Sequence, residues 1–226
     1  MAKDGELWRR RLYVPFYKVS EAARYADSTT QTVGRWSKLN ATSKRESRAE
    51  LTYLQLIEVA VVAAMRRAGI KLDKIRDAHS YFGKVLESEF PFAEHRFMAV
   101  GGDIAMDYAK IDPDAEFESL IKSGGQLGWS ELLKPLLKEF DYEDEGLATR
   151  WRVAGLDSEI AIDPRISFGA PQINGVATWS VRGRYDAGES VDDISDDLGL
   201  DSKQVIEALK FEGLKADLGR QSYWVN

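Results

Sequence analysis

Ile160-Ala161-Ile162-Asp163-Pro164-Arg165-Ile166-Ser167-Phe168-Gly169-Ala170-Pro171-Gln172-Ile173-Asn174-Gly175-Val176-Ala177-Thr178 is the stretch from which the fold is read. Ile160 and Ile162 alternate into Asp163-Pro164, and turn signals follow at Gly169-Ala170-Pro171 and Asn174-Gly175. Such a pattern predicts a short strand and an extended arm, not a helix. Three short helices are expected next. Thr178 caps the first, which runs to Ala187-Gly188. Ser190, with Asp193 three residues on, caps a second carrying Val191, Ile194 and Leu198 at helical spacing before Gly199 stops it. Asp201, with Gln204 three on, caps a third carrying Val205, Ile206, Leu209 and Phe211. Gly199-Leu200-Asp201 joins the last two at helix-turn-helix spacing.

The ordered series Ile162-Asp163-Pro164, Phe168-Gly169-Ala170-Pro171, Ile173-Asn174-Gly175, Gly188 to Ile194 and Val205 to Lys210 resembles the small domain of VapB-like bacterial antitoxins. The resemblance covers roughly the last third of the chain, and it implies a partner: a PIN-like ribonuclease toxin.

The remaining composition describes an ordinary globular chain of 226 residues and 25.4 kDa, with 44% hydrophobic and 30% charged residues, enough for one large domain or two small ones. No apolar run approaches the length of a membrane span, and Met1 to Glu6 lacks the pattern of a secretory signal, so the expected location is cytoplasmic. Without cysteine there is no disulfide framework, thiol nucleophile or thiolate zinc site. The net charge of −6 is unevenly spread. Met1 to Glu50 holds 11 Lys and Arg against 6 Asp and Glu, a balance of +5, leaving −11 for the remainder. A basic head on an acidic body suits a polyanion ligand for the head; a solvated basic face is the plainer alternative.

Within that head, Ser20 is read as the cap of a short helix with Ala22, Ala23 and Tyr25, and Ala26-Asp27-Ser28 as a turn. A second helix from Thr29 to Trp36 packs Val33 and Trp36 inward and leaves Thr30, Gln31, Thr32 and Arg35 facing out. Gln and Arg there suit bidentate contacts to adenine and guanine in the major groove. Ser37 to Glu50, with Lys38, Lys44, Arg45 and Arg48, reads as a wing or mobile loop able to clamp phosphates. Leu51 to Arg67 follows as a helix capped by Thr52 and apolar on both faces, and Lys71 to Leu86 as another. These stretches in this order resemble the MerR-type winged helix-turn-helix and its following helical pair. Symmetric DNA sites and the second apolar face of Leu51 to Arg67 point to a homodimer, unless the chain itself covers that face.

From Phe92 the period becomes that of strands, His95 to Val100 and Asp103 to Ala109 forming a hairpin about Gly101-Gly102. That hairpin stands where a MerR activator continues into its dimerising coiled coil. Ala115 to Ile121 and Ser130 to Phe140 read as helices, and the glycine pair in Gly124-Gly125-Gln126 ends the first. Asp141 to Gly146 is an acidic turn and linker. The expected fold is therefore mainly α with a small β-hairpin (α+β), in three segments. Residues 1–88 form a MerR-like head, 89–146 a hairpin and helical connection, and 147–226 an antitoxin-type helix-turn-helix with a tail.

Catalytic chemistry has no foothold in the sequence. His79 and His95 lie on different elements, Asp157, Glu159 and Asp163 read as an exposed acidic strand, and no Walker loop, dinucleotide fingerprint or serine elbow occurs. The chain is read as a non-enzyme without cofactor or metal. The leading reading is an antitoxin that binds a PIN-like toxin and represses its own operon through operator DNA. The alternative is a stand-alone MerR-like transcription regulator, and a hydrolase comes third. Between Asp186 and Glu212 nine acids face Lys203 and Lys210, which opposes DNA docking there, with Arg182 and Arg184 as counter-evidence. The tail from Gly213 to Asn226 is expected to hold the toxin through Leu214, Leu218, Arg220, Tyr223 and Trp224, unless it folds back on the chain's own core.

Overall fold

The computed structural model describes residues 4–44, 50–95, 97–100, 103–106, 138–143 and 146–214. They fall into two units, Met1–Thr149 and Arg150–Asn226, and the architecture is mostly helical with small antiparallel strand pairs, an α+β fold. Among the described residues no helix is long and apolar enough to cross a membrane.

The first unit is built on α4 (Tyr53–Arg67). Thr52 caps it, accepting the Gln55 N–H at 3.2 Å while the Gln55 side chain accepts the Thr52 N–H at 3.0 Å. Every residue from Tyr53 to Met65 is buried. The chain itself therefore covers both apolar faces, which removes α4's second face as a reason for a dimer. Each fully buried Leu, Ile or Val contributes about 1.5–3 kcal/mol, so this helix anchors the unit. Around it lie α1 (Asp4–Arg11), α2 (Val19–Tyr25), α3 (Thr30–Lys38), α5 (Leu72–Val85) and the short α6 (Pro91–Glu94). Two-residue strands β1 (Tyr17–Lys18) and β2 (Glu50–Leu51) pair antiparallel, Tyr17 opposite Leu51. They tie the entry of α2 to the entry of α4.

Several local expectations shift. Ser20 is not a cap: the extended β1 ends at Lys18, which becomes the N-cap, and the Lys18 N–H donates to the Glu21 carboxylate at 2.8 Å. Ser37 and Lys38 of the expected wing belong to α3, and Ala41, Thr42 and Ser43 are buried, so the first part of that wing is fixed and not loose. Phe92 belongs to α6, opened by Pro91 in the first helical turn, before the strand period begins. Strands β3 (Phe97–Val100) and β4 (Asp103–Met106) then pair as a hairpin. Phe140 opens β5 (Phe140–Tyr142) instead of closing a helix, Asp141 and Tyr142 of the expected acidic turn lie in that strand, and β6 (Ala148–Trp151) follows; Asp144 and Glu145 lie outside the described residues. The helix expected at Ala115 to Ile121, the glycine pair and most of the helix expected at Ser130 to Phe140 lie outside the described residues.

In the second unit, Ala161 bridges Gln172 and Ile162 bridges Trp151, which fixes the extended arm. The arm passes through a 3-10 turn at Ser167–Gly169 into the hairpin β7 (Gln172–Ile173) and β8 (Val176–Ala177). Asn174 and Gly175 form its two-residue turn with φ of 49° and 85°, the left-handed pair that a tight twisted hairpin needs. Helices α7 (Thr178–Asp186), α8 (Val191–Leu198) and α9 (Ser202–Phe211) follow. Ser190 and Asp201 cap α8 and α9 as full capping boxes with Asp193 and Gln204, and Gly199 ends α8 at φ 63°. Thr178, however, is the first helical residue and Ala177 the cap; the Thr178 hydroxyl donates to the Glu212 carboxylate, and the Pro171 carbonyl accepts the Thr178 N–H at 2.9 Å. Ile160, Ile173, Val181, Ile194, Val205 and Leu209 close the core.

Candidate functional site

In α3, Thr29 is the N-cap, and its hydroxyl oxygen accepts the Thr32 N–H at 3.1 Å. The Thr32 hydroxyl is 2.9 Å from the same oxygen, so Thr32 is half-buried and engaged in the cap. Val33 and Trp36 turn inward, and the helical period then places Thr30, Gln31, Arg35 and Lys38 outward, all exposed. Gln31, Arg35 and Lys38 follow i, i+4, i+7 spacing along one stripe. Arg35, Lys38 and Lys44 have no ion-pair partner among the described residues. Of the cations expected at phosphates, Arg45 and Arg48 lie outside the described residues.

The turn after α3 is locked by a polar network that the sequence does not announce. Asn40 takes a left-handed conformation (φ 56°), and the Ala41 N–H closes on the Trp36 carbonyl at 2.9 Å. Glu58, fully buried in α4, accepts the Ser43 N–H at 2.6 Å and lies 2.9 Å from His79 Nε2 of α5. The Gln55 side chain donates to the Lys44 carbonyl at 2.8 Å. One carboxylate thus joins the turn, α4 and α5. Beside it opens a cavity of about 340 Å³ lined by Asn40, Thr42, Ser43, Lys44, His79, Ser80, Gly83, Lys84 and Glu89. The only sequence signal was Glu58 itself, a lone acid inside an apolar helix.

In the second unit the arginines of α7 are consumed internally, while Lys203 and Lys210 of α9 stay exposed. Arg182 pairs with Asp186 at 2.7 Å and donates to the Glu212 carbonyl at 2.8 Å. Arg184 binds Glu189 and Asp197, and these two hydrogen-bonded carboxylates raise its pKa above the ordinary guanidinium value. Asp163 is not part of an exposed acidic strand. It is buried and held by the Arg165 guanidinium at 2.7 and 2.8 Å and by the Arg165 N–H at 2.9 Å. Among the described residues no group of His, Asp and Glu is placed to hold a metal ion. Phe168 and Trp179 stand 71% and 64% exposed, Phe168 on a left-handed backbone at φ 56°. Of the expected tail contacts, Leu214 packs partly buried against this unit's core; Leu218, Arg220, Tyr223 and Trp224 lie outside the described residues.

Comparison with known proteins adds three findings. Residues 160–211, the arm, hairpin and three helices, match a family described as a protein of unknown function (DUF433). A Mycobacterium tuberculosis protein provisionally named antitoxin VapB45 is 26% identical over 236 residues, an alignment spanning 92% of this chain and 98% of the relative. The X-ray crystal structure of Rv2018 from Mycobacterium tuberculosis superposes with a TM-score of 0.62 at 21% identity, covering 88% of this chain and 99% of that one. The fold is thus shared along nearly the whole length of a solved structure.

Proposed function

We propose that this protein is the antitoxin of a type II toxin-antitoxin module: it binds and silences a PIN-like ribonuclease toxin and represses its own operon by DNA binding. The observation that carries the reading is the near full-length alignment with a relative named as an antitoxin. Operator DNA is assigned to the head as a MerR-like winged helix-turn-helix. Thr30, Gln31 and Arg35 address bases beside Thr32, which holds the helix cap, and Lys38, Lys44, Arg45 and Arg48 address phosphates. The exposed stripe and the unpaired cations of α3 support this. The C-terminal helices are assigned to protein rather than DNA, because Arg182 and Arg184 are already neutralised by acids of their own unit. Toxin contact is assigned to the tail, Leu214, Leu218, Arg220, Tyr223 and Trp224, with Arg220 reaching an acidic metal-binding cleft. A homodimer fits a symmetric operator.

Co-expression with the adjacent toxin reading frame tests the core of this. The full chain rescues growth and co-purifies with the toxin, and a chain lacking Gly213 to Asn226 that stays folded does neither. Retention of both activities by the truncated chain overturns the tail assignment. Failure of the full chain to bind any neighbouring toxin leaves the stand-alone regulator. Unchanged operator binding by an Arg35→Ala, Lys44→Ala double variant refutes the head assignment.

A further inference from the structure

We infer that the cavity between the Asn40–Lys44 turn and α5 is a binding site for a phosphoryl group, held by the ammonium groups of Lys44 and Lys84 and by neighbouring hydroxyls. Three independent features of the cavity converge on that chemistry. The first is its cations: Lys44 and Lys84 come from different elements, line the same cavity, and have no ion-pair partner among the described residues. Against them stands one lining carboxylate, Glu89. The carboxylate behind the wall, Glu58, is already occupied by the Ser43 N–H and the His79 ring.

The second feature is an unmet polar group. Ser43 lines the cavity, and its hydroxyl is buried without a hydrogen-bond partner among the described residues. Buried polar atoms are rarely left so, and an orphan beside a cavity marks the place of a missing acceptor or donor. Thr42 and Ser80 bring two more hydroxyls to the same wall. Two point charges and several rotatable O–H donors suit an anion with many acceptor oxygens, whereas a planar carboxylate would leave some of them unused.

The third feature is rigidity and size. The turn is pinned by the Glu58 and Gln55 contacts and by the Ser37 hydroxyl donating to the Ser43 carbonyl at 3.3 Å, so the donors are held before any ligand arrives. A volume of about 340 Å³ exceeds a bare phosphate and lies at the lower end of the range of small-molecule sites. It takes a phosphate together with part of the sugar or chain that bears it. That phosphate has two sources, a free phosphate ester or the backbone of bound DNA. In the second case Lys84 extends the DNA-contacting surface beyond the residues named above.

The test uses the full chain and Lys84→Gln, with Lys71→Gln as a charge-matched control exposed at the start of the same helix and outside the cavity. Inorganic phosphate, AMP and adenosine are titrated by calorimetry at low ionic strength, and promoter DNA by gel shift across a salt series. Phosphate and AMP are expected to bind while adenosine does not, with Lys84→Gln weakening them at least about fivefold and Lys71→Gln leaving them unchanged. If DNA is the source, Lys84→Gln also weakens the DNA complex and lowers its salt slope by about one. If a free ester is the source, the DNA complex is indifferent to Lys84. Ser43→Ala is expected to weaken phosphate binding without lowering thermal stability, since it removes an unpaired hydroxyl. Equal responses of the two lysine variants, or none, overturn the inference. Loss of all DNA binding with Lys84-dependent phosphate binding retained would defeat the operator reading alone.

Discussion

Glu58→Leu is the most informative single perturbation of the head. The side chain is fully buried, with the Ser43 N–H donating to one oxygen at 2.6 Å and His79 Nε2 lying 2.9 Å from the other. Leucine fills similar space but accepts no hydrogen bond, so the Ser43 N–H is stranded in the interior. Stranding a buried donor costs about 1–3 kcal/mol. His79 is partly exposed and can turn to water, so its loss adds at most about 1 kcal/mol. The apolar gain of leucine offsets a fraction of this, leaving a net loss of about 1–3 kcal/mol. For a unit of this size that is a fall in Tm of roughly 2–12 °C. Glu58→Gln keeps an acceptor for Ser43 and is expected to lose about half as much. Urea denaturation followed by far-UV circular dichroism reads both variants. His79→Leu in the Glu58→Leu background completes a double-mutant cycle: the pair is expected to be less damaging than the sum of the singles. If Glu58→Leu is as stable as the parent, the network does not hold the turn and the reasoning fails.

Other outcomes follow from particular groups. Asp201→Ala removes the acceptor for the Gln204 N–H at the start of α9 and is expected to destabilise the second unit by about 1 kcal/mol, measured by thermal melts of the full chain. Gly199→Ala meets no neighbouring atom but must adopt φ 63°; the left-handed penalty of about 1–2 kcal/mol should appear undiluted in the same melts. His95 has its pKa lowered by burial, with Glu94 opposing, and its Nδ1 is buried without a partner among the described residues. Its folded pKa lies below the ordinary value near 6.5, so the unfolded chain binds more protons in that window. Stability is whole above that value and declines as pH falls below it. Urea midpoints at pH 7.5 and 5.5 should therefore converge in His95→Phe.

What the sequence disclosed was chemistry that acts over three or four residues. Ser190 with Asp193 and Asp201 with Gln204 are visible because a cap and its reciprocal partner sit at fixed offset, and Asn174-Gly175 because few other pairs tolerate two left-handed residues. The inward Val33 and Trp36 of α3 follow from helical period alone. Hidden features depended on distant partners. A ladder of two residues, Tyr17–Lys18 on Glu50–Leu51, has no periodicity to detect. Glu58 and His79 are 21 residues apart, and neither carries a mark of the other. Asp163 looked exposed because strand alternation ignores Arg165, which folds back over the turn to pair with it.

Two helix-turn-helix outlines in one chain pose a question that backbone geometry cannot answer, since the same spacing serves DNA and protein ligands alike. Counting charges by segment is a step closer, yet it misjudged the meaning of Arg182 and Arg184, which in sequence read as cations available to a phosphate. Their guanidinium groups are directed at Asp186, Glu189 and Asp197 instead. A DNA phosphate approaching α7 would have to displace carboxylates already in place, on a surface where Asp192, Asp196 and Asp201 are exposed. Arg35, Lys38 and Lys44 in the head face no such competition among the described residues. On the proposed DNA-binding reading, a polyanion at the head releases counterions without first breaking an ion pair, whereas at α7 it must break those of Arg182 and Arg184, and that difference in cost, more than the net charge of either segment, favours the head.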